Sequence, residues 1–138
     1  MFPFDEECNK KILRHKNMRK EKNFQTIECY TGLKNLNLPQ DSTVLLDCLS
    51  NLAANERYQE DGAKESLVQE IADGIIKIKS TTSNLVVVTN EIFSDGIEYD
   101  KDTMQYLEYL GKLNCILGKI ADEVIEVYFS IPIYHKQA

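Results

Sequence analysis

With 138 residues, 43% of them apolar and 28% charged, the chain has room for one soluble domain with a real core and not for two. A net charge of −6 excludes a general nucleic-acid binder, which needs a basic face to neutralise phosphates. No apolar run reaches the length of a membrane span, and the start, Met1 to Glu7, has no signal-peptide pattern, so the expected location is cytoplasmic.

The charge is unevenly spread. Residues 1–22 carry seven Lys/Arg against four Asp/Glu, a balance of +3, and the remainder stands at −9. A short basic segment on an acidic body suits a local anion site or, more plainly, a solvated helix face. The four cysteines, Cys8, Cys29, Cys48 and Cys115, are far apart and form no C-x-x-C pair. They read as reduced thiols rather than a metal or disulfide framework.

In chain order, residues 5–20 are predicted helical, with Asp5, Glu6 and Glu7 near the start and the basic residues later. Residues 24–30 alternate like a short, half-exposed strand, and Gly32 to Ser42 forms a loop. The run from Val44 to Leu49 reads as a strand buried on both faces. From Ala63 to Lys79, Leu67, Ile71, Ile75 and Ile78 recur at helical spacing, and residues 85–89 form a second buried strand. Met104, Leu107, Leu110, Leu113, Leu117 and Ile120 mark one face of a helix over 101–121, and residues 124–129 close as a strand. Strand, helix, strand, helix, strand implies a single α/β domain over 1–138 with a mostly parallel sheet flanked by helices.

Ligands of open parallel sheets bind beyond the carboxyl ends of the strands. That rule selects Asp47, Ser50 and Asn51 after the first strand, and Asn90 and Glu91 after the second. A carboxylate ending an apolar strand is how nucleotide enzymes place an acid near Mg²⁺; the plain alternative for Asp47 is a cap on a neighbouring loop. His15 lies among Lys11, Arg14, Lys16 and Arg19. Cations there tend to keep the imidazole neutral and nucleophilic and could hold a nucleotide's phosphates. Composition by itself favours a surface histidine on a basic helix. His135 reads as tail. None of the six glycines opens a G-x-x-x-x-G-K-[ST] phosphate loop.

The ordered segments Asp5-Glu-Glu, Ile12-Leu-Arg-His15-Lys-Asn-Met-Arg19, Phe24-Gln-Thr-Ile-Glu28, Val44-Leu-Leu-Asp47-Cys-Leu-Ser-Asn51-Leu, Val87-Val-Thr-Asn90-Glu91, Asp95-Gly96-Ile, Tyr109-Leu-Gly-Lys-Leu-Asn114 and Ala121-Asp-Glu-Val124 resemble one known family. It is the bifunctional adenosylcobinamide kinase/adenosylcobinamide-phosphate guanylyltransferase family of cobalamin biosynthesis. The resemblance implies a P-loop-type (RecA-like) parallel sheet, often assembled as a trimeric homo-oligomer. It implies phosphorylation of adenosylcobinamide by GTP or ATP, and transfer of GMP from GTP to adenosylcobinamide phosphate through a guanylylated histidine. By position His15 matches that histidine, and Lys16, Asn17, Met18, Arg19, Glu28 and Asp47 match nucleotide-contacting positions, with Mg²⁺ expected at Asp47. Asn51, Asn90 and Glu91 are expected at the edge of the same site. The sequence departs from the family pattern in having no first strand, P-loop and helix before Asp5, and it is expected to be a shortened member. The alternative is a non-catalytic relative or fragment that keeps the fold as a binding or assembly protein.

Overall fold

A computed structural model describes residues 10, 13, 14, 24–90 and 100–138. Lys10, Leu13 and Arg14 are helical, in line with the expected first helix. Strand β1 (Thr43–Asp47) is followed by helix α1 (Leu49–Tyr58), a 3-10 turn (Lys64–Ser66), helix α2 (Leu67–Thr81) and strand β2 (Asn84–Val88). Helix α3 (Lys101–Ile120) then leads to strands β3 (Val124–Tyr128) and β4 (Ile131–Lys136). Among the described residues no helix is long and apolar enough to cross a membrane.

Strands β1 and β2 are parallel, with Thr43 opposite Asn84 and Asp47 opposite Val88. They are joined by the crossover through α1 and α2, the connection that a parallel pair requires. Strands β3 and β4 form a separate antiparallel pair. Among the described residues the fold is therefore α/β, with one parallel and one antiparallel sheet flanked by helices.

The core lies among the helices. Leu49, Leu52 and Ala53 of α1, Leu67, Ile71, Ile75 and Ile78 of α2, and Leu110 and Leu113 of α3 are all buried. On α2 these residues fall four, eight and eleven positions along, one stripe of a 3.6-residue helix. Val44, Leu46, Leu85 and Val87 pack against this core from the sheet. Asp100 caps α3 by accepting the Thr103 amide at 2.7 Å. At its other end Lys136 Nζ donates to the carbonyls of Gly118 and Lys119, each at 3.2 Å, placing a cation where the last carbonyls lack partners.

Four sequence expectations are corrected. Residues 24–30 form no strand, and their backbone runs irregularly. β1 and β2 are buried on one face only: Leu45, Val86 and Val88 are exposed, because the helices cover just the face that carries Val44 and Val87. Residues 124–128 do not extend the parallel sheet but turn back through Phe129 and Ser130 to pair with β4. His135 is thus not tail but part of β4, with Nε2 2.8 Å from Glu126 Oε1.

One buried charge ties the loops to α1. Glu56, 3% exposed, accepts the backbone N–H groups of Gly32 and Ala63. Burial pushes its carboxyl above the ordinary 4.5, against the lowering effect of those two bonds. Replacing it with alanine leaves the half-buried Gly32 and Ala63 amides without that acceptor and is expected to cost about 2 kcal/mol in urea unfolding. Because its folded pKa is raised, its protonation adds stability as pH falls through that pKa, with the full contribution present below 4.5. The stability difference between wild type and Glu56→Gln should therefore shift in favour of wild type as pH falls from neutral to below 4.5. A difference that stays flat would contradict the raised pKa.

Candidate nucleotide site at the end of strand β1

All five residues of β1 line a groove of about 530 Å³, together with residues 24–30, Leu36, Leu38, Pro39, Cys48, Asn51 and Asn55. Thr43 and Asp47 stand four strand positions apart, so the groove runs roughly 13 Å along the strand. Its volume is in the ordinary range for small-molecule sites. Three of the residues singled out from sequence, Glu28, Asp47 and Asn51, meet in this one groove.

Local structure explains the meeting. Residues 24–30 have no strand partner, and are fixed instead through side chains. Tyr30 Oη donates to Glu28 Oε2 at 3.0 Å, Cys29 Sγ donates to the Thr31 carbonyl at 3.3 Å, and Thr31 Oγ1 donates to Asp61 at 3.1 Å. The following 3-10 turn (Leu33–Asn35) is held against α2, where Lys77 Nζ donates to the carbonyls of Lys34 at 2.8 Å and Leu36 at 3.2 Å. Gly74 permits that approach, since a side chain there would stand 3.0 Å from the Lys34 nitrogen. Asp47 ends β1, and Asn51 sits in the first turn of α1, which starts immediately afterwards.

On the other side of the β1 terminus, Asn90 Nδ2 donates to Ser50 Oγ at 2.9 Å, and Ser50 Oγ lies 3.1 Å from Cys48 Sγ. Thr89 Oγ1 donates to Asn114 Oδ1 at 2.8 Å, and Tyr106 Oη donates to the Ser50 carbonyl at 2.8 Å. Burial, with Cys48 and Tyr58 nearby, pushes the Tyr106 phenol up to about 12, so it remains a donor at neutral pH. Tyr106 and Asn114 were not selected from sequence as site residues. The signal for Tyr106 was available, because a tyrosine on an apolar helix stripe needs a partner for its hydroxyl.

His15, Lys16, Asn17, Met18 and Arg19, and Glu91 after β2, lie outside the described residues. Asn90 is thus linked to the β1 end but does not line the groove. Among the described residues no group of three or more His, Cys, Asp or Glu could hold a metal ion by itself. The Asp47 side chain makes no hydrogen bond or ion pair among them, and its carboxylate is a hard oxygen donor on a residue that lines the groove. That donor set fits Mg²⁺ only in the way Mg²⁺ commonly binds at nucleotide sites, through one or two carboxylates with phosphates and water. Cys29, Cys48 and Cys115 are free thiols.

Comparison with known proteins gives this arrangement a context. The bifunctional adenosylcobalamin biosynthesis protein CobU of Salmonella typhimurium is 25% identical over 134 residues, spanning 87% of this chain and 74% of that protein. The family described as cobinamide kinase / cobinamide phosphate guanyltransferase matches residues 1–134. With all but its last few residues matched, including every strand end that frames the groove, the chain belongs to the cobinamide kinase / cobinamide phosphate guanyltransferase family.

Proposed function

We propose that the groove beside β1 binds guanine nucleotide, and that the chain transfers GMP from GTP to adenosylcobinamide phosphate through His15. The observation that carries this reading is the convergence of Glu28, Asp47 and Asn51 on one groove in a chain of this family. The parallel pair, its helical crossover and the acidic end of β1 also support a P-loop-type arrangement. The family reading adds phosphorylation of adenosylcobinamide by GTP or ATP as a second activity. The exposed apolar residues Val86 and Val88, outside the groove, support a homo-oligomer that covers them.

In the first displacement a neutral His15 nitrogen attacks the α-phosphorus of GTP. A phosphorus–nitrogen bond forms, the α–β phosphoanhydride bond breaks, and pyrophosphate leaves with the electron pair. In the second, an oxygen of adenosylcobinamide phosphate attacks the same phosphorus and the phosphorus–nitrogen bond breaks, regenerating the imidazole. Splitting the transfer in this way replaces one difficult step with two easier ones. Lys16 and Arg19 supply positive charge for the phosphates, and Glu28 offers acceptors to the nucleotide's N–H or hydroxyl groups. Asp47 would hold Mg²⁺, which neutralises charge on the phosphate oxygens when bound.

Calorimetric titration with GTP tests the nucleotide assignment. In the presence of Mg²⁺, Asp47→Ala is expected to weaken binding roughly tenfold, the loss of one charge-assisted contact. With the cation chelated, wild type and variant should bind alike, because Asp47 acts through the metal. Equal affinities with Mg²⁺ present would remove Asp47 from the site.

A further inference from the structure

Asn90 is exposed, yet its carboxamide is tethered: Nδ2 donates at 2.9 Å to the hydroxyl of Ser50, a residue only 6% exposed. Fixing an exposed side chain costs rotamer entropy, so a single such bond adds little to stability. The tether has more consequence for where the rest of the carboxamide is presented. Its oxygen has no hydrogen bond among the described residues, and one amide hydrogen is left over after the bond to Ser50. Ser50 is itself fixed from two directions. Tyr106 Oη donates to its carbonyl at 2.8 Å, and its hydroxyl lies 3.1 Å from the Sγ of Cys48, which lines the groove beside Asp47.

We propose that Ser50 is a positioning residue for the nucleotide site. It holds Asn90 on one side of the β1 terminus and Cys48 on the other, so that a nucleotide seated in the groove and extending past the end of β1 meets both Asp47 and the carboxamide, which stands outside the groove itself. The proposal rests on the nucleotide reading given above. Ser50 is buried and acts through Asn90, whose side chain is ordered before the ligand arrives. Ordering it in advance removes that entropy loss from the binding step. A serine serving the fold alone would change the unfolding midpoint and leave nucleotide affinity where it was.

The test titrates GTP with Mg²⁺ into the full chain and into Ser50→Ala, Asn90→Ala and the double variant, well below their unfolding transitions, with circular dichroism reporting that each is folded. Ser50→Ala is expected to weaken GTP about fivefold, and Asn90→Ala by a similar factor. The double variant should bind no more weakly than the weaker single variant, because both substitutions remove one anchored group. Ser50→Thr keeps the hydroxyl and should bind within about twofold of wild type. If Ser50→Ala does not fold, Tyr106→Phe decides: a loss of about fivefold supports the proposal and affinity within about twofold of wild type overturns it. Unchanged affinity in folded Ser50→Ala, or losses that multiply in the double variant, overturns the positioning role while nucleotide binding stands. Absence of GTP binding to wild type overturns the nucleotide reading and this proposal together.

Discussion

Gly62→Ala is expected to destabilise the protein by roughly 3 kcal/mol, among the largest losses a single methyl group can cause. A Cβ at this position would run into the carbonyl oxygen of Glu56, and would stand 2.7 Å from the Glu56 carbonyl carbon and 2.9 Å from Asn55 O. These are backbone atoms at the end of α1, so no flexible side chain can move aside. Relief requires shifting the turn itself, and the next residue, Ala63, supplies one of the two amides that satisfy buried Glu56. The clash therefore extends to a buried charge. Gly118→Ala is the control. It lies near the end of α3 with nothing within 4 Å of the added carbon, and alanine in a helix should gain about 0.5–1 kcal/mol. Urea unfolding of the two variants should move in opposite directions. A loss below about 1 kcal/mol for Gly62→Ala would contradict the packing of the α1 end.

The elements legible in the sequence were those whose residues serve the core. Helix α2 shows its stripe plainly because Leu67, Ile71, Ile75 and Ile78 have no polar competitor on that face. Helix α1 was not read, because Asn55 and Glu56 are buried beside Leu52 and Ala53 and break the apolar pattern. Their burial is satisfied by distant backbone, Gly32 and Ala63 for Glu56, which no local pattern encodes. Strand β4 was missed for the opposite reason: every residue from Ile131 to Lys136 is exposed, so no face is selected. Its turn gives no sequence cue either. Phe129 and Ser130 take φ values of 48° and 64°, the two positive-φ positions of a tight hairpin, where Asn-Gly or Gly-Gly would be the usual signal.

The alternation over residues 24–30 misled for a related reason. It resembles a strand, yet the segment is fixed by Tyr30, Cys29 and Thr31 through side-chain bonds and serves as one border of the groove. At the candidate site, the rule that ligands sit beyond strand ends selects Asp47 and Asn51, which line the groove, and Asn90, which does not. It could not reveal that Asn90 reaches back 40 residues to Ser50, or that Tyr106 arrives from α3, 56 residues after Ser50, to hold its carbonyl.

His15→Ala is expected to abolish covalent guanylylation, a loss of roughly a thousandfold or more, because removing a nucleophile leaves no alternative route to the same intermediate. On the proposed route the imidazole accepts the guanylyl group through its α-phosphorus, and pyrophosphate leaves. GTP labelled at the α-phosphate should therefore mark the protein, whereas GTP labelled at the γ-phosphate should not. A phosphorus–nitrogen bond to histidine should also be lost in acid and survive in alkali, which separates it from a serine or threonine ester. The central measurement is incubation of the full chain with α-labelled GTP and Mg²⁺, followed by denaturation and acid or alkali treatment, with His15→Ala in parallel. Acid-labile label on wild type and none on His15→Ala is the predicted result; an unlabelled wild type, or equal label on both proteins, would contradict guanylyl transfer through His15.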